Sequence, residues 1–140
     1  MTARRPRVYV AHPMSCYGTE HAAGCLARVG EQLPGARLID PERAAWPTDE
    51  EWRTDWRDIL ESLDALIVFT AEDRTVGTGC VVEATDAFAW SLPVAALDRT
   101  GLRRLDAFKL LPEHERTPRR FARLSLGPLI DLAEFPGGST

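Results

Sequence analysis

The chain has 140 residues, a formal net charge of −4 and a pI of about 5.4. That length suits one domain with a single core, and the 44% hydrophobic and 27% charged content argues against a disordered chain. The acidic balance argues against a surface for a nucleic acid polymer, and no apolar run approaches the roughly 20 residues of a membrane span.

The basic start, Arg4-Arg5-Pro6-Arg7, lacks the apolar stretch that follows in a signal peptide. Cys16, Cys25 and Cys80 are odd in number and form no close pair, so neither a disulfide framework nor a zinc knuckle is expected. A cytoplasmic setting fits these features.

In chain order, residues 7–11 (Arg-Val-Tyr-Val-Ala) are β-branched and aromatic and run into His12-Pro13, which predicts a buried first strand ended by a turn. Ala22, Leu26, Val29 and Leu33 recur at helical spacing over 19–33, before Pro34-Gly35; a helix is expected there. Residues 36–39 read as a second strand closed by Asp40-Pro41. Thr48-Asp49-Glu50-Glu51, behind Pro47, has the form of a capping box, and Trp52, Trp56, Ile59, Leu60 and Leu63 mark the apolar stripe of the helix it opens. The continuous run Ala65-Leu66-Ile67-Val68-Phe69 suits a central parallel strand covered on both faces.

Gly77-Thr78-Gly79 leads into a helix expected over 80–91, and residues 93–97 supply a strand ending at Asp98. Residues 105–111 and 119–126 read as further strands around a polar loop. The alternation predicts an α/β domain with a single doubly wound, mainly parallel five-stranded sheet, flavodoxin-like or Rossmann-like, with helices on both faces. Its core spans about 7–126, and 127–140 read as a loose tail.

In open parallel sheets the ligand crevice lies beyond the carboxyl ends of the strands. Those ends supply His12, Asp40, residues 70–73 and Asp98. The stretch from Gly77 to Glu83 is the most informative, because glycines let backbone approach a ligand and a helix start offers amides and partial positive charge. Gly77, Thr78 and Gly79 are therefore candidate ligand contacts. Glu83 has two readings: a carboxylate that complements the helix dipole, or an ionised nucleophile that stabilises a developing cation. Cys80 reads as a small buried residue.

With these residues in hand, the sequence resembles the nucleoside 2-deoxyribosyltransferase-like superfamily, which includes nucleoside 5'-monophosphate N-glycosidases and CMP hydrolases. The resemblance rests on Val8-Tyr9-Val10-Ala11-His12-Pro13-Met14, on Leu63-Asp64-Ala65-Leu66-Ile67-Val68-Phe69, and on Gly79-Cys80-Val81-Val82-Glu83 with Pro93-Val94 beyond. It implies that Glu83 is the nucleophile at the anomeric carbon and that Tyr9 hydrogen-bonds its carboxylate. The first turn departs from the family's small, glycine-containing pattern, which leaves His12, Ser15 and Tyr17 as candidate substrate contacts. At the place of the family's aspartate stands Trp56, beside Asp55; Asp55 and Asp73 are carried as candidates for contacting the sugar or base.

The resemblance implies an N-glycosidase acting on a small nucleoside or nucleoside 5'-monophosphate, a pyrimidine such as CMP in the narrower expectation, with no metal and no cofactor. Base exchange by a deoxyribosyltransferase, cleavage of NAD, and a non-catalytic nucleotide-binding or sensor domain are the alternatives. Trp46, Trp52, Trp56 and Trp90 exceed what a small core needs, and aromatics are enriched at interfaces. A homodimer or higher homo-oligomer is therefore expected.

Overall fold

A computed structural model describes residues 4–44 and 48–138; Trp46 and Pro47 lie outside the described residues. The chain runs β1 (Arg7–Ala11), α1 (Glu20–Gln32), β2 (Arg37–Ile39), α2 (Pro41–Ala44), α3 (Asp49–Ser62), β3 (Ala65–Val68), β4 (Thr75–Val76), α4 (Thr78–Ala89), β5 (Val94–Asp98), β6 (Gly101–Leu110) and β7 (Ala122–Leu129). None of the helices is long and apolar enough to cross a membrane, among the described residues.

The strands form one mixed sheet in the order β2-β1-β3-β5-β6-β7-β4. This corrects the mainly parallel five-stranded expectation. Four strands, β2, β1, β3 and β5, run parallel, while β6, β7 and β4 extend the sheet antiparallel. The reason is local. Arg99 and Thr100 alone separate β5 from β6, far fewer than the dozen or so residues a parallel crossover needs. Asp98 Oδ1 accepts from the amides of Thr100 at 2.7 Å and Gly101 at 3.2 Å, and Gly101 has φ +136°. That tight turn folds the chain straight back on itself.

Alternation along β1 builds two cores. Val8 and Val10 pack with Ala65, Ile67 and Ala95 beneath Ala22 and Val29 of α1 and Leu33 just past its end. Tyr9 and Ala11 face the other way, onto Trp56 and Leu60 of α3 and Cys80, Ala84 and Ala87 of α4. Both faces are covered, which is why the parallel strands read as continuous apolar runs. From β1 the chain passes out to β2 and then returns to β3 on the opposite side of β1, so the strand order reverses between β1 and β3. A crevice forms at such a reversal.

Thr19 and Thr48 cap α1 and α3, their hydroxyls accepting from Ala22 N at 3.2 Å and Glu51 N at 3.1 Å. The tail departs from expectation. Residues 127–138 continue β7 to Leu129 and then make a turn of 3-10 helix, Leu132–Glu134, capped by Asp131. Phe135 is buried in the α1-side core, and the Gly137 carbonyl accepts from Gly35 N at 2.9 Å. Apolar burial holds this segment in place despite its glycines and polar residues. Phe135→Ala is therefore expected to lower stability by about 3 kcal/mol, read as a reduced midpoint of urea unfolding with an unchanged slope.

Candidate active site

Helix α4 turns Cys80, Glu83, Ala84 and Ala87 toward the sheet. Three of these four suit an apolar stripe; the fourth is a carboxylic acid only 5% exposed. Burying a carboxylate is costly unless donors meet it, and here two do. The Tyr9 hydroxyl of β1 and the Trp52 indole N–H of α3 both donate to Glu83 Oε2, the latter at 3.2 Å. Among the described residues no hydrogen bond reaches Oε1.

The two donors are themselves held. Tyr9 is fully buried, and its ring tilts against Trp56 with centroids 4.9 Å apart. Trp56 Nε1 donates to Asp86 Oδ2 at 2.9 Å, one turn beyond Glu83. Two indoles of α3 thus reach two acids of α4, with the Tyr9 ring between the helices and the sheet.

Burial raises the Glu83 carboxyl from its ordinary 4.5 to about 7, against the opposing pull of the Tyr9 and Trp52 hydrogen bonds and with a further push from Asp86. Burial, then the Glu83 charge, holds the Tyr9 hydroxyl far above its ordinary range, so it stays a donor. Burial likewise raises the Cys80 thiol, which makes it a poor nucleophile.

A pocket of about 100 Å³ opens on Glu83. Of the sequence candidates, Tyr9, His12, Tyr17, Gly77 and Gly79 line it with Glu83. Ser15, Asp55, Thr78 and Asp73 do not. Ser15 and Asp55 are exposed, on the turn after β1 and on α3. Thr78 directs both its amide and its hydroxyl to the Pro118 carbonyl, at 2.9 and 3.2 Å. Asp73 staples the turn between β3 and β4, accepting from Thr75 N at 3.0 Å and Thr75 Oγ1 at 2.6 Å. Against desolvation, the largest single effect, the Thr75 hydrogen bonds with Arg120 and Arg123 together hold its carboxyl below its ordinary value.

The glycines divide in role. A Cβ on Gly77 would lie 2.7 Å from the Pro118 carbonyl oxygen, whereas one on Gly79 would meet nothing within 4 Å. Gly77 is needed for packing against the loop between β6 and β7; Gly79 leaves open space at the pocket.

Trp52 and Arg119 are site residues that the sequence reading does not identify. Trp52 reads there only as part of an apolar stripe, and Arg119 as the start of a strand, but Arg119 lies on the β6–β7 loop at the pocket. Trp56 is buried and Trp52 packs partly buried against the same core, as their place on the apolar stripe implies, whereas Trp90 is 52% exposed. No family model, curated protein or solved structure matches the chain.

The raised Glu83 carboxyl has a consequence for stability. Its favourable contribution is complete below the unfolded value of about 4.5 and is lost as pH rises to about 7, because the unfolded chain ionises first. That interval corresponds to roughly 3 kcal/mol. Glu83→Gln, which retains an oxygen acceptor, is expected to remove this decline and to exceed the parent protein in stability at pH 8. Urea unfolding at pH 5 and 8 checks this; parallel changes in the two proteins would refute it.

Proposed function

We propose that the protein is an N-glycosidase that cleaves the N-ribosidic bond of a small nucleoside or nucleoside 5'-monophosphate, with Glu83 as nucleophile. The observation that carries this reading is the division of labour on one buried carboxylate. Tyr9 and Trp52 occupy Oε2, while among the described residues no hydrogen bond takes up Oε1, and Glu83 lines a pocket. The order and spacing of the three sequence blocks resembling the deoxyribosyltransferase-like superfamily support it.

In the first step Oε1 attacks C1' as the C1'–N bond breaks, and the bonding pair leaves with the base, which takes a proton from solvent. The positive charge that develops on the sugar is stabilised by the carboxylate, by the same logic as in retaining glycoside hydrolysis. Water then attacks C1' of the glycosyl ester, loses a proton to solvent and returns Glu83 as a carboxylate. Tyr9 and Trp52 fix the carboxylate throughout, and Tyr9 remains protonated. Arg119, at the rim, supplies a cation for a 5'-phosphate.

On this reading the pocket beside Glu83 takes the sugar, and the base and phosphate extend over its rim. A homodimer or higher homo-oligomer belongs to the same reading, supported by a cleft between α3 and α4 that carries Val82 and Trp90, which are 44% and 52% exposed. Light scattering in solution tests it, and a monomer at all concentrations would reject it.

A panel of nucleosides, monophosphates and NAD, with CMP first, is expected to yield free base from a monophosphate. Glu83→Ala is expected to lose about 1,000-fold or more in kcat, and Arg119→Ala to raise KM for the monophosphate with little change for the nucleoside. The pH profile of kcat/KM should rise through about 7 and stay level above, since a nucleophile must be ionised; a fall above that point would reassign Glu83 as an acid. A new nucleoside formed on adding a second base would make the protein a transferase, and saturable binding without turnover would leave it a nucleotide-binding domain.

A further inference from the structure

The ends of β1 and β2 bring a second polar group to the wall of the same pocket. His12, just past β1, and Asp40 and Glu42, at the start of α2, place one ligand atom each within 4.8 Å of the others. His12 is 3% exposed. Its ring stacks on Phe69 at 4.5 Å with planes 10° apart and meets Tyr17 at 5.1 Å, so it has little freedom to turn.

The hydrogen bonding of this ring defines what it offers. Nδ1 lies 2.9 Å from the Val10 carbonyl, which only accepts, so Nδ1 carries the hydrogen and Nε2 presents a lone pair. Nε2 is enclosed and has no hydrogen-bond partner among the described residues. It faces Asp40 Oδ1 at 3.7 Å. Two acceptors directed at each other repel, and a cation between them satisfies both.

We propose that His12, Asp40 and Glu42 bind one divalent transition-metal cation of the Zn²⁺ type. The ligand set of one imidazole and two carboxylates matches its charge, and water completes the coordination. The 3.7 Å separation is near the edge of about 3.4 Å in a tetrahedron with 2.1 Å bonds. The Val10 carbonyl on Nδ1 is the kind of outer partner that orients metal-binding histidines. Asp40 is oriented too, because its Oδ1 accepts from Glu42 N at 3.0 Å. Such a cation ties the end of β1 to α2, and this holds whether or not Glu83 is a nucleophile.

The test uses the untagged full-length chain, stripped with a chelator and titrated calorimetrically with Zn²⁺ and separately with Mg²⁺. One equivalent of Zn²⁺ is expected to bind, with Mg²⁺ weaker by about 100-fold because the site contains an imidazole. Asp40→Asn and Glu42→Gln are each expected to weaken Zn²⁺ by about 10-fold or more. Both side chains are only partly buried, and asparagine keeps an acceptor for Glu42 N, so circular dichroism should show an unchanged fold. Three outcomes overturn the proposal: no Zn²⁺ binding, equal binding in both variants, or binding lost instead in His21→Ala. The last would place the metal at the His21–Cys25 pair, whose atoms lie 3.8 Å apart.

Discussion

The hydrogen bonds from Tyr9 and Trp52 to Glu83 make a buried acid tolerable on the sheet-facing side of α4, and the packing around them follows from that demand. An isolated carboxylate in an apolar interior would stay neutral or force the helix outward. Two donors on one oxygen reduce the cost without removing it, and the carboxyl settles at about 7. Each donor comes from a different element, so β1, α3 and α4 must keep their spacing to within the reach of a hydrogen bond. The small residues Ala84 and Ala87 let α4 lie close to the strands, and Trp56 on Asp86 repeats the link between α3 and α4 one turn further on.

The antiparallel half of the sheet positions the start of this helix. β4 pairs with β7 through Thr75 and Val76, and the chain then enters α4 at once through Gly77. There the backbone lies so close to Pro118 that no side chain fits at Gly77. The loop between β6 and β7 is therefore both a support for α4 and a wall of the pocket. Asp73 belongs to the same support: it fixes the turn that delivers β4 and does no visible work at Glu83.

What was legible in the sequence follows the range of the interactions. β1, β3, α1 and α3 have enough residues for a periodic or continuous apolar pattern, and Thr19 and Thr48 mark helix starts locally. β4 has two residues and α2 has four, too few for periodicity to speak. The alternation of the earlier strands and helices points to a parallel sheet, whereas the tight turn Asp98-Arg99-Thr100-Gly101 makes β6 antiparallel to β5. Glu83 and Tyr9 stood out through the glycines and the family resemblance. Trp52 did not, because its partner lies 31 residues away and is met only once α3 and α4 pack. Its spacing from Trp56 predicted a shared inward face equally well, without revealing that the indole N–H had an acid to meet.

A resting carboxyl raised to about 7 is an apparent weakness for a nucleophile, since it leaves a protonated fraction at neutral pH. On the proposed glycosidase reading only the ionised fraction attacks, and that carboxylate then meets the positive charge that develops on the sugar in the transition state. The same desolvation that raises the free carboxyl then strengthens its attraction for the transition state, because few waters compete. On that proposed reading, the space that Gly79 leaves open is where water or a second base would reach the glycosyl ester, so the residues that hold the carboxylate are not the ones that would decide the fate of the intermediate.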